Sequence, residues 1–267
     1  MVPRVLDRFP EIEEVVAFIH DHIDEPLPLE RLARVAAYSP YHFTRIFKER
    51  VGLPPLYYVS SHRLSRAKEL LLTTKLSIRD IGLEIGQQSL GTFTSRFTER
   101  VGMTPAQFRT CGEEADGSLR HLRKLGDWRV PGTPPNGRQQ VEGRIAADTP
   151  FEGVVLIGLF AKPIPEGLPI FGTIIPALGG FRITDVKPGV YYLMATAVAW
   201  EMGAKEALLP RATLRSRTRI PIIVESGSEV PYQEVTLYDP RLDDPPILIS
   251  LPLLMQRFLS SMARHSR

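Results

Sequence analysis

The sequence predicts a multidomain chain of α and β type: an all-α N-terminal domain built on a duplicated helix pair, and an all-β, sandwich-like C-terminal domain. Three observations carry this. Residues 39–52, SPYHFTRIFKERVG, return at 89–102 as SLGTFTSRFTERVG, with eight identities in fourteen ungapped positions. Unrelated segments would share about one, so the match marks a duplicated structural unit. Apolar residues before position 110 recur at helical spacing. Beyond position 150, short β-type runs alternate with Pro and Gly turns.

At 267 residues the chain has room for two domains with cores of their own. No run of eighteen uncharged apolar residues occurs, so no membrane partner is expected. The N-terminus places acidic residues where a signal peptide needs an apolar core, and a cytoplasmic location is expected. Cys111 is the single cysteine, which excludes an internal disulfide framework and a cysteine-built zinc cluster. The net charge of +3 is compatible with a polyanionic partner but does not specify one.

Ile12, Val15, Val16, Ile19 and Ile23 form one helical stripe, with Glu11, Glu13 and Glu14 at its favourable N-terminal end. Leu29, Leu32, Ala33 and Ala36 form the inner face of a short second helix, and only Ala37 and Tyr38 separate it from Ser39. Ser39 is an N-cap and Pro40 the first helical residue. Phe43, Ile46, Phe47 and Val51 then face inward, leaving Tyr41, Thr44, Arg45 and Lys48 on the opposite face. A helix fits the DNA major groove, and an outward arginine can pair with guanine through two hydrogen bonds. The same face also suits an ordinary solvated bundle, and this unit alone leaves both readings open. After Pro54-Pro55 a long helix is predicted over 56–74, packed through Leu56, Val59, Leu64, Ala67, Leu70 and Leu71. Its Arg63, Arg66 and Lys68 either meet phosphates or are simply solvated. Ser77 caps a short helix with Ile78, Ile81 and Ile85 inward, Gly86 turns the chain, and Ser89 opens the repeated helix. The first helices of the two pairs match with an offset of 49 rather than 50, so the extra residue falls in the turn.

Ser39-Pro40-Tyr41-His42-Phe43, Arg45, Phe47, Gly52, Pro55, Tyr58, Arg63-Leu64 and Ala67 resemble the first half of the AraC/XylS DNA-binding domain. Ile81, Gly86, Phe93, Phe97, Gly102, Pro105 and Phe108-Arg109 resemble its second half, so the likeness runs from about residue 14 to 110. The resemblance implies a double helix-turn-helix domain whose recognition helices enter successive major grooves of a double-stranded operator or promoter, about 34 Å apart. It implies a transcription regulator rather than an enzyme. The expected DNA-binding residues are Pro40, Tyr41, His42, Thr44, Arg45 and Lys48, with Leu90, Gly91, Thr92, Thr94, Ser95 and Thr98 in the second copy. A small-molecule effector, contact with RNA polymerase and a homodimer are the further partners such a regulator admits. The chain departs from the family pattern at Gln87, where an aromatic is usual, and at Gly82, where alanine is usual. Arg96 replaces Ile46 in the second copy. No side chain among Leu90, Gly91, Thr94, Ser95 and Thr98 pairs with guanine as Arg45 can. Base reading is therefore expected to fall mainly to the first copy, through Arg45 and Thr44; an outward Arg96 would restore a strong contact in the second.

The domain boundaries read as 10–111 for the DNA-binding domain, 112–149 for a basic, Gly/Pro-containing linker, and 150–267 for a β-sandwich-like effector or association domain. LRHLRKLGDWR within the linker is expected to be solvated, the alternatives being phosphate contact or a helix packed on the first domain. Strands are predicted at 154–160, 170–175, 181–186, 191–199, 220–224, 234–238 and 247–251, and a terminal helix at 253–262. GGFRITDVKPGVYYLMAT resembles a strand–turn–strand of carboxypeptidase-regulatory or transthyretin-like sandwiches. No catalytic, cofactor-binding or metal-binding constellation is read: there is no Gly-x-Ser-x-Gly elbow, paired-histidine motif or phosphate-binding loop. His121 and His265 stand alone. Some family members carry a repair methyltransferase, but that chemistry needs reactive cysteines beyond Cys111. Tyr191, Tyr192 and Trp200 beside Glu201 line either a ligand pocket or plain core, and Glu234 is the candidate for a buried ligand-binding carboxylate. The C-terminal domain is expected to sense a ligand or mediate association; the alternative is a purely protein-interacting module.

Overall fold

The computed structural model describes residues 9–87, 89–125, 128 and 139–265. They divide into two compact units. One comprises the residues up to Phe93 with Arg241–Pro246, and the other comprises Thr94–Pro240 with the residues from Ile247.

The first unit is helical. Helix α1 (Pro10–Asp21) buries Ile12, Val15, Val16 and Ile19, four of the five residues of the expected stripe; Ile23 lies beyond its end and is half-buried. Helices α2 (Leu29–Val35) and α3 (Pro40–Val51) form the first helix-turn-helix. Ser39 caps α3 by accepting from the His42 amide at 3.3 Å, and Gly52 ends it in the left-handed region at φ 88°. Helix α4 (Pro55–Thr73) follows, then α5 (Ile78–Glu84), capped by Ser77. The turns after α2 and α5 are the same device at an offset of 49. The Tyr38 amide donates to Ala33 O at 3.0 Å and the Gln87 amide to Gly82 O at 2.8 Å. The residue before each has positive φ, 54° at Ala37 and 77° at Gly86. These six-to-one bonds with a left-handed residue are Schellman closures, which satisfy helix-end carbonyls in a short turn. Gly82 adjoins Phe93: a Cβ there would lie 3.3 Å from the ring.

Three expectations for α4 change. Leu56 is 49% exposed rather than part of the packing stripe. Lys68 is buried, so it is not a phosphate contact. Arg63 is half-buried and spends its guanidinium on backbone carbonyls. It donates to Ile23 O at 3.1 Å and Glu25 O at 2.5 Å, closing the loop after α1.

Helix α6 (Leu90–Val101) carries the chain into the second unit, where α7 (Pro105–Thr110) starts from a Thr104–Gln107 capping box. Helix α8 (Gly112–Arg123) and strand β1 (Val141–Ala147) lie within the stretch expected as a linker, of which residues 126, 127 and 129–138 fall outside the described ones. The strands β2 (Gly153–Phe160), β3 (Phe171–Ile175), β4 (Gly179–Ile183) and β5 (Gly189–Ala199) precede the short helix α9 (Ala204–Leu208). β6 (Arg215–Arg217), β7 (Ile222–Val224), β8 (Gln233–Leu237) and α10 (Leu251–His265) complete the chain. One sheet has the order β4-β1-β8, with β1 antiparallel to β4 and parallel to β8. The other has the order β3-β2-β5-β6, and β7 pairs with β5. With α8, α9 and α10 among its strands, the region is strand-rich rather than all-β.

Strand β2 explains its own sequence. Val155, Ile157 and Leu159 join a core with Val141 and Ile145 of β1, Phe181 of β4 and Val235 of β8. Val154 and Leu156 face a second core with Leu119 and Leu122 of α8 and Leu251 and Met255 of α10. A strand buried on both faces reads as an unbroken apolar run, here GVVLIGLF. Each such side chain contributes about 2 kcal/mol by leaving water. Of LRHLRKLGDWR, residues 119–123 are thus the end of a packed helix: Leu119 and Leu122 are core and Leu125 half-buried, while Arg120, His121, Arg123 and Lys124 are exposed. Residues 247–250, expected as strand, are buried but form none, and α10 begins at Leu251. Tyr191 is core, with its hydroxyl donating to Lys187 O at 2.9 Å, and Glu234 is exposed.

Candidate nucleic-acid interface

The apolar stripe of α3 fixes which face is left for a partner. Phe43, Ile46, Phe47 and Val51 are buried, so Pro40, Tyr41, Arg45 and Lys48 are exposed and His42 and Thr44 half-buried. Tyr41 is 85% exposed, a large cost for an aromatic ring unless something covers it. The Arg45 guanidinium donates to His42 Nδ1 at 3.4 Å and lies 3.9 Å from Glu49. Both carboxylate and guanidinium are more than half exposed there, so the pair holds Arg45 by a few tenths of a kcal/mol at most. His42 packs edge-on against Tyr38, with ring centroids 4.7 Å apart, which steadies the side chain that Arg45 leans on. The Thr44 hydroxyl donates to Pro40 O at 2.8 Å, leaving its oxygen lone pairs as acceptors.

In α6, Phe93, Phe97 and Val101 are buried as their repeat partners are. Leu90, Gly91, Thr92 and Ser95 are exposed and Thr94 and Thr98 half-buried. The Thr98 hydroxyl donates to Thr94 O at 2.7 Å. Arg96 is exposed where Ile46 is buried in the first copy, so the guanidinium belongs to the outer face. Sequence reasoning left Arg96 open because the repeat alignment sets it against a core position.

Sequence reasoning also gave no role to Arg50 and Arg100, the arginines of the shared Glu-Arg-Val-Gly. Both are buried and ion-paired, Arg50 with Glu13 and Asp243, Arg100 with Glu166. A signal was present. Arg50 lies seven residues after Phe43 and three after Phe47, on the apolar stripe, and Arg100 repeats the placement. Arg66 pairs with Glu69 at 2.6 Å on α4. Among the described residues no helix is long and apolar enough to cross a membrane, and no cluster of three His, Cys, Asp or Glu side chains is suited to a metal ion.

A helix-turn-helix domain model matches residues 32–110. The transcriptional regulator Rob of Salmonella typhimurium is 32% identical over 126 residues, 47% of this chain and 44% of that protein. The chain thus spans less than half the length of Rob. The transcriptional activator AarP of Providencia stuartii is 31% identical over 98 residues, 37% of this chain and 73% of that protein. A crystal structure of a transcriptional regulator with an AraC-type DNA-binding domain from Chromobacterium violaceum is 33% identical. It covers 38% of this chain and 91% of that one at a TM-score of 0.37. The doubled helix-turn-helix and the extent of the AarP match lead to one conclusion: the chain belongs to the AraC/XylS family of helix-turn-helix regulators.

Proposed function

We propose that this protein is a sequence-specific, double-stranded-DNA-binding transcription regulator, without catalytic activity, in which α3 and α6 read adjacent major grooves. The observation that carries this is the duplicated helix with one shared buried face and two different exposed ones. Phe43 and Phe93, Phe47 and Phe97, and Val51 and Val101 keep the core, whereas Tyr41, Arg45 and Lys48 stand opposite Gly91, Ser95 and Thr98. α3 reads bases chiefly through Arg45, with Thr44 as an acceptor. α6 contributes hydroxyl and apolar contacts, and the exposed Arg96 adds a base or phosphate contact that the repeat alignment alone would not assign. A DNA site selected from random sequence should span two major grooves on one face. Against that site, Arg45→Ala is expected to cost about 1–3 kcal/mol and to relax preference at the contacted base pair. Binding indifferent to sequence, or unchanged in the variant, refutes the reading.

For the C-terminal region, a sandwich of the two sheets, we favour effector sensing or association, with RNA polymerase contact and dimerisation as the partnerships to test. One observation supports association. Val190 and Ile223 are register partners across β5 and β7, 54% and 60% exposed, and nearby Ile220 is 82% exposed. An apolar cluster of that kind is unfavourable in water unless covered. Thermal shift against a metabolite panel, beside molecular mass across concentration, separates the two: ligand stabilisation without a change of mass supports sensing, and the reverse supports association.

A further inference from the structure

Arg50 and Arg100 occupy the same repeat position, two residues before the glycine that follows each recognition helix, and each side chain is only 7% exposed. A guanidinium stays charged at any working pH, so burying it requires carboxylate partners. In both copies one such partner comes from beyond residue 160. Arg50 donates from Nη1 to Asp243 Oδ2 at 2.9 Å, across 193 residues of chain. Arg100 donates from Nε to Glu166 Oε2 at 2.5 Å, across 66 residues. Glu13 also meets Arg50 at 3.2 Å, and Lys162 meets Glu166 at 3.2 Å.

The backbone joins in at each place. The Tyr58 hydroxyl donates to Leu242 O at 3.1 Å, seating the segment that carries Asp243. The Gly167 amide donates to Arg100 O at 2.7 Å and the Ser250 amide to Val101 O at 3.0 Å. These take up last-turn carbonyls of α6 that have no partner within the helix. The acidic segments are unrelated, Leu-Asp-Asp-Pro in one place and Pro-Glu-Gly in the other. The arginine is repeated; the loops that meet it are not.

We infer that Asp243 and Glu166 are positioning residues for DNA reading: each holds the last turn of one recognition helix by its repeat-equivalent arginine, and so sets how that helix meets the bases. The inference rests on the DNA-reading function proposed above. The lever is geometric. A twelve-residue helix is about 18 Å long, so a tilt of about 10° at its held end moves the other end by about 3 Å. A hydrogen bond to a base does not survive that displacement. The grip lies at the C-terminal end, so it leaves Tyr41 and Arg45, or Gly91 and Ser95, uncovered.

The test uses the full chain with Asp243→Asn and Glu166→Gln, which keep side-chain shape and remove the charge. Two quantities are measured: amide exchange, and competition binding to the selected DNA site carrying mismatches in one half or the other. Asp243→Asn should speed exchange at 241–246 tenfold or more and lower discrimination about tenfold in the half read by α3 only. Glu166→Gln should do the same at 162–167 and in the half read by α6. Faster exchange with unchanged discrimination makes the pairs purely structural and overturns the inference. So does equal loss in both halves, which is the mark of general destabilisation. Unchanged exchange in both variants removes the grip itself. A parent protein that selects no DNA site refutes the proposed function, whatever the exchange data show, and the positioning role falls with it.

Discussion

His62 makes the stability of the helical unit depend on mild acid. The ring lies among His20 and Tyr58, with centroids 4.4 Å from each, and its Nε2 is sealed from solvent without a hydrogen-bond partner. Burial, with a smaller contribution from the His20 charge, lowers its pKa from 6.5 to about 3. The folded value lies below the unfolded one, so the unfolded chain binds the proton first. The stabilising contribution is fully present above about pH 6.5 and is lost progressively as pH falls toward 3. At pH 5 the folded group is still neutral while the unfolded one is mostly charged, which favours unfolding by about 2 kcal/mol. His62→Phe keeps a planar ring and removes the titration. Protection of the α4 amides, corrected for intrinsic exchange, should fall about 30-fold more in the parent than in the variant between pH 7.5 and pH 5. His20, whose pKa burial also lowers, is present in both proteins and shifts both in the same direction. An equal fall in parent and variant refutes the argument.

Two further substitutions test the backbone. Ala37 sits at φ 54° where the second helix pair has Gly86 at φ 77°. Ala37→Gly removes about 1–2 kcal/mol of left-handed strain against an entropic cost of about 0.5–1, so the helical unit should gain up to about 1.5 kcal/mol, read as slower exchange in α2. A loss contradicts the closure described. At Gly143 an added Cβ would lie 2.2 Å from Gln233 O and 2.7 Å from the Phe181 ring. Gly143→Ala should therefore cost about 1–3 kcal/mol or more by parting β1 from β8, visible as a lower thermal midpoint, and an unchanged midpoint excludes the close approach.

Much of the helical half was legible because its signals are local. Ser39 and Ser77 as caps, Pro40 as first helical residue and Gly52 as stop act within one turn of where they stand. The exposed face of α3 followed from the stripe of Phe43, Ile46, Phe47 and Val51. Strand β2 was visible as a bounded apolar run. Where the signal was ambiguous, expectation failed. Residues 247–251 are short and apolar, which suits a strand or any buried segment, and they lead into α10 instead. Gly112 and Gly117 dilute the helical pattern of α8, and Gly143 with Arg144 hides β1 among linker-like residues.

Periodicity and caps are properties of neighbouring residues, and they suffice for the duplicated helix pair, its two different outer faces and the strand-rich character of the remainder. The tertiary structure alone decided what long side chains do. Arg63 closes a loop, Lys68 is buried, Arg96 is exposed, and Arg50 and Arg100 meet carboxylates 193 and 66 residues further on. An arginine's spacing states only which face it leaves from. Whether that face meets solvent, a carbonyl or a distant acid depends on what the fold brings there.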